Sequence, residues 1–186
     1  YTFVVKPDPR SDATEADLVE QTRMALQVRD RMSDANKGVI EIRNLKTDVT
    51  DRTAKMTANA AFAPLAKTFA DSLSAVEDSV YQTKNQSGQD PLNFPIRLNN
   101  QFSSLLSFVS GGERRPPKQA YYVLAVLNPK LDVQMARMER IIAANLPNVN
   151  AMLKAAGLPE IVRSKVEKGG PGAAQAVFVP DSEFDR

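Results

Sequence analysis

The 186-residue chain contains no histidine, no cysteine and no tryptophan. These absences exclude thiol nucleophiles, Ser-His-Asp triads, Cys/His zinc sites, cysteine-ligated iron–sulfur clusters, c-type haem attachment and disulfides. A dominant charge is lacking too: 24 Lys and Arg stand against 22 Asp and Glu, a net charge of +2. So even a mixture leaves no electrostatic footprint for nucleic acid or an anionic membrane surface. No apolar run approaches the roughly 20 residues that span a bilayer, and no signal-peptide pattern opens the chain. What is present is globular composition, 42% hydrophobic and 25% charged, with length enough for one domain and its core. The chain opens at Tyr1 rather than at Met, which predicts a processed or partial piece of a longer product. Avoidance of stray thiols fits an exported protein, but cytosolic proteins also lack cysteine, so both compartments stay open on this count.

Strand pattern is confined to the two ends. Tyr1-Thr2-Phe3-Val4-Val5-Lys6 is aromatic and β-branched and is stopped by Pro7-Asp8-Pro9, which predicts one strand over residues 1–6. A lone strand leaves its backbone groups in need of a partner. The other β-like run is Ala176-Val177-Phe178-Val179, so either the termini pair or another chain supplies the sheet.

Between the ends the pattern is helical. Thr14-Glu15-Ala16-Asp17 has the spacing of a capping box. Gln21, Ala25, Val28, Met32, Ala35, Val39, Ile42, Leu45 and Val49 then follow three-four spacing, which predicts a single amphipathic helix over residues 14–51. Phe62, Leu65, Phe69, Leu73, Val76 and Val80 predict a second helix over residues 63–84, with Pro64 in its first turn. Leu98, Phe102, Leu105, Leu106 and Val109 predict a short third helix stopped by Gly111-Gly112. Pro116-Pro117 opens a fourth with the stripe Ala120, Leu124, Leu127, Leu131, Met135, Met138 and Ile142, kinked at Pro129. Pro147 is expected to begin a separate short helix, closed by Gly157-Leu158-Pro159. Residues 165–174, with Gly169-Gly170-Pro171-Gly172, read as flexible or extended. The expected fold is all-α: a strand and linker over residues 1–10, an up-and-down four-helix bundle over 11–162 and an extended or flexible tail over 163–186.

Acid–base chemistry is left to Asp, Glu, Lys and Tyr, and carboxylate catalysis needs a pocket that separates two pKa values. Glu15, Asp17, Glu20, Asp30, Asp34 and Glu41 instead fall where a solvated helix face carries charge. Asp8, Asp12, Asp181 and Asp185 are scattered and no Asp-x-Asp-x-Asp-Gly loop occurs, so no metal, cofactor or catalytic residue is assigned. The glycine-rich run lacks the Gly-Lys-Ser/Thr ending of a phosphate loop and reads as a linker. Of Tyr121-Tyr122, one ring is expected to pack inward and the other outward, core plus interface. The methionines on helical stripes read as core filler. Candidate partner-docking residues are Tyr1, Phe3, Val5, Tyr121, Val177, Phe178 and Val179.

The least generic stretch is Gln89-Asp90-Pro91-Leu92-Asn93-Phe94-Pro95-Ile96-Arg97-Leu98-Asn99-Asn100. Its prolines and asparagines imply a fixed turn, with Asp90 and Asn93 bonding nearby amides, Leu92 and Phe94 plugging the bundle end, and Asn99 and Asn100 satisfying loop carbonyls. With the Asp8-Pro9-Arg10 entry and Ala156-Gly157-Leu158-Pro159, this stretch resembles the C-terminal helical region of large secreted bacterial proteins with sortilin-like, BNR/Asp-box β-propellers, often described as glycosyl hydrolases. The resemblance covers about residues 1–162 and is most specific at Asp90, Pro91, Asn93, Phe94, Pro95, Arg97, Asn99 and Asn100. It implies that residues 1–6 end an Ig-like domain and that any glycosidase chemistry belongs to a propeller. No catalytic residue carries over, since the chain has no Trp and no Ser-x-Asp-x-Gly-x-x-Trp box.

The expected function is a noncatalytic structural or interaction module, an exported scaffold or accessory subunit of a larger assembly. A membrane assembly, respiratory or photosynthetic, is one variant. It would dock onto other protein chains through the N-terminal strand and the C-terminal tail, with no nucleic acid, no cofactor and no membrane insertion. The alternative is the C-terminal fragment of a secreted β-propeller glycoside hydrolase whose catalytic part lies elsewhere. A carbohydrate- or peptide-binding module ranks third, because no Trp and four Tyr make a poor aromatic platform.

Overall fold

Thr14 begins the first helix as its spacing requires. Its hydroxyl accepts from the Asp17 N–H at 3.2 Å, and the Asp17 carboxylate accepts from the Thr14 N–H at 3.1 Å. The computed structural model describes residues 6, 8–57 and 59–163. The helices are α1 (Glu15–Lys55), α2 (Phe62–Val80), α3 (Leu98–Ser110) and α4 (Lys118–Ala155). Among the described residues there is no strand. The expected strand over residues 1–6 lies outside the described residues except for Lys6, which is in no strand, and the run of Val177, Phe178 and Val179 also lies outside them.

Among the described residues the fold is all-helical with four α-helices, but they fill three columns. α1 and α4 are parallel: Tyr121 bonds Glu20, Arg31 bonds the Asn128 carbonyl at 3.2 Å, and Arg163, just past α4, binds Glu41 and Glu139. α2 runs against α1, since Glu77 reaches Arg43 at 2.7 Å and Lys46 at 3.0 Å. α3 runs the same way lower down, where Gln21 donates to the carbonyls of Val109 at 2.8 Å and Gly112 at 2.6 Å. α2 and α3 each pack on both long helices and scarcely touch each other. They stack end to end as a third column, so the alternating up-and-down order expected from the sequence is replaced by up, down, down, up. The reason is length: α1, at 41 residues, is about 60 Å long, and neither α2 nor α3 can cover it alone.

The core follows the apolar stripes. Met24, Val28, Ala35 and Ile42 of α1, Phe62, Phe69 and Leu73 of α2, Phe102 of α3, and Leu131, Val149 and Leu153 of α4 are fully buried. Gly38 lets α4 approach, because a Cβ there would meet the Met135 sulfur at 2.8 Å.

Three helix limits differ from the sequence reading, the first being that α1 runs on to Lys55 rather than ending at residue 51. α2 stops at Val80 rather than running to residue 84, because the buried Gln82 turns away to donate to the Pro95 carbonyl at 2.8 Å. Pro147 starts no new helix: α4 continues through both Pro129 and Pro147. Near Pro147, Asn145 donates to the Ile141 carbonyl at 2.8 Å and Asn148 to that of Ala144 at 3.1 Å, which supplies side-chain donors around the proline. Burial of Ile142, Val149 and Leu153 on either side holds the helix against the core.

α4 ends in a Schellman turn on Gly157, whose φ is +72°, with Leu158 N–H bonding the Leu153 carbonyl at 2.9 Å. The chain then folds back along the α1–α4 seam. Arg52 bonds the Pro159 carbonyl at 3.0 Å, Asn150 bonds both backbone groups of Ile161, and Arg163 is clasped by Glu139 and Glu41.

Candidate docking surface

The connector between α2 and α3 is a built loop at mid-height, with a short 3-10 turn at Asp90–Leu92. The Asp90 carboxylate accepts from the Gln86 and Ser87 amides and the Ser87 hydroxyl, and the first of these bonds does most to hold its pKa below the ordinary value. Lys84 lies over the Phe94 ring at 5.7 Å, and Asn100 accepts from the Arg97 N–H at 3.5 Å, capping α3. Pro91, Asn93 and Pro95 are exposed, and Leu92 is 83% exposed, so Leu92 plugs no bundle end. The loop projects from the middle of the rod, where α2 gives way to α3. Asn100 accepts an amide rather than satisfying a carbonyl, and the side-chain oxygen of Asn99 is buried without a hydrogen-bond partner, as are Asn85 Oδ1 and Arg97 Nε. Asp90 and Asn100 fix the loop, while Arg97, Asn93 and Asn99 form no constellation of acid, base and nucleophile.

The outer face of α4 is different. Its core stripe, Ala120, Leu124, Leu127, Leu131 and Met138, points inward and is buried. Tyr122, Val123, Val126 and Val133 form a second apolar set on the same helix, and their exposures are 72%, 44%, 52% and 58%. A helix that is apolar on both sides has one side without a partner. Beside this set opens a groove of about 670 Å³ between Ser79 and Leu98 on one wall and Val126, Pro129 and Val133 on the other. Gln134 also lines it, and Gln134 Oε1 is buried with no hydrogen-bond partner. Lys130 stands at the groove, and Arg137 and Arg140 follow on exposed positions of the helix. Among the described residues none of these three cations has a carboxylate partner.

The expected docking residue Tyr121 is not part of that face. It is half-buried against the core, and its hydroxyl donates to Glu20. Tyr122 carries the outward ring, so the inward–outward reading of the pair stands with Tyr121 as the inward member. Glu20 also receives Arg23, and this pair, with the Tyr121 bond, lowers its pKa from 4.5 to about 2. The α4 face was missed because the core stripe of this helix satisfies the helical period alone. Val123, Val126 and Val133 off that stripe were the available signal.

A second depression, about 430 Å³, is lined by Arg43, Lys46, Thr47, Thr50 and Asp51 of α1, and its two cations are engaged by Glu77. Among the described residues no group of three or more acidic side chains is placed to hold a metal ion, and no helix is long and apolar enough to cross a membrane. No protein family, curated protein or solved structure matches the chain.

Proposed function

We propose that the chain is a noncatalytic interaction module, a rod of helices that docks other protein chains on the outer face of α4. The observation that carries this reading is the exposed set Tyr122, Val126 and Val133 beside the Val126–Pro129–Val133 groove. A ring and branched side chains at helical spacing form the kind of apolar patch, rimmed by charge, that marks a protein contact. An exported scaffold or accessory subunit is the setting that fits best. In the resemblance drawn from residues 89–100, the helical region is likewise the part without chemistry. The N-terminal strand and the C-terminal tail, expected as docking elements, lie outside the described residues.

A photo-crosslinking residue placed at Val126 or Val133, in cells that make the protein natively, tests the reading. It should join the chain to one defined protein, while the same residue at Asp71, exposed on α2, should not. Crosslinks from neither α4 position would overturn it. Purified alone, the chain should hydrolyse no glycoside; turnover that survives repurification and vanishes when one carboxylate is replaced would restore the glycosidase alternative.

A further inference from the structure

The α4 groove has a chemistry that selects among occupants. Its walls are apolar at Val126, Pro129 and Val133. Lys130, Arg137 and Arg140 put cations without carboxylate partners along the same side. The fitting ligand is an apolar run followed by carboxylates.

We infer that the occupant is the chain's own residues 176–185, so that this segment competes with any external partner for the groove. The sequence there is Ala-Val-Phe-Val-Pro-Asp-Ser-Glu-Phe-Asp: Val177, Phe178 and Val179 supply the apolar run, and Asp181, Glu183 and Asp185 match the three cations in number and sign. The reach is sufficient. Arg163 is held at the height of Glu139, which lies about 20 Å along α4 from Val126. Twelve residues separate Arg163 from Ala176, and they can span about 40 Å. Tethering makes the contact intramolecular, with an effective concentration in the millimolar range for a short linker. The inference rests on reading the α4 face as a docking surface, and it assigns that surface a resting occupant.

Because the chain has no cysteine, Ser182→Cys gives a single site for a nitroxide label. In the labelled 186-residue chain the amides of Val126, Lys130 and Val133 should be broadened, whereas that of Asp51, far along α1, should not. The exposed triple variant Lys130→Glu, Arg137→Glu, Arg140→Glu should weaken that broadening; undiminished broadening would overturn the choice of this segment by charge. No broadening at the three α4 amides would overturn the inference outright. So would broadening found only when labelled chain is mixed with an unlabelled, isotopically enriched one, since the occupant would then be a second copy. Val126 crosslinks to another protein that persist after either negative result leave the docking reading standing; their loss as well removes both.

Discussion

At the residue scale, Glu20 and Leu131 illustrate two kinds of dependence on the fold. Glu20 is held ionised by Arg23 and by the Tyr121 hydroxyl, and its pKa falls from 4.5 to about 2. A carboxylate whose pKa is lowered by folding contributes stability above its unfolded value, and that contribution is lost as the pH falls through the folded one. Asp17 and Asp90 are shifted in the same direction, Asp17 first by the Thr14 hydroxyl and Asp90 first by the Gln86 amide. The melting temperature should therefore fall as pH is lowered from about 4.5 to about 2. Glu20→Gln should flatten part of that slope, and an unchanged profile would mean that the Glu20 contacts do not persist in solution. Leu131 is fully buried, and its truncation to Ala should cost about 2–5 kcal/mol in denaturant unfolding. A loss below about 0.5 kcal/mol, the range of surface changes, would place it outside the core.

At the scale of elements, the helices were largely legible in the sequence because a cap and an apolar period are local signals. Thr14 and Asp17 mark the start of α1, and its stripe from Val28 to Val49 is the one that is buried. The continuation of α4 through Pro147 was not legible, since it depends on tertiary burial of Ile142 and Val149 around the proline. Nor was the pairing of Glu77, 4% exposed in its side chain, with Arg43 and Lys46 across the α1–α2 contact, because a long-range charge pair leaves no periodic trace. A buried carboxylate is tolerated there only while its cations remain. Replacing both Arg43 and Lys46 by Met should destabilise the chain by about 3–5 kcal/mol in denaturant unfolding, whereas adding Glu77→Leu to that pair should recover most of the loss. Recovery from the third change tests the mechanism, since loss of packing by the two Met substitutions alone would not be repaired by it.

At the scale of the molecule, the arrangement of helices could not be read from the sequence because stripes name the buried face of each helix without naming its neighbour. The connector motif was legible as a fixed turn through Asp90, Pro91 and Pro95, but its place at mid-height follows from α2 and α3 sharing one column. That sharing yields a rod as long as α1 and leaves the outer side of α4 beside the junction uncovered, with Ser79 from the end of α2 and Leu98 from the start of α3 forming one wall of the groove. Stacking and groove thus stand or fall together, and a distance measurement separates the alternatives. Glu77 sits at the height of Arg43 and Lys46, and Val109 at that of Gln21, so Asp71 and Ser104 lie about 24 residues apart in height along α1. At 1.5 Å per residue this is about 36 Å. Side-by-side helices in a four-column bundle would bring the same positions to about 10 Å between axes. Both side chains are exposed, and the absence of native cysteine makes Asp71→Cys with Ser104→Cys a clean spin-label pair. A dipolar distance near 36 Å is expected; a short distance would restore the alternating bundle and remove the junction on which the docking groove depends.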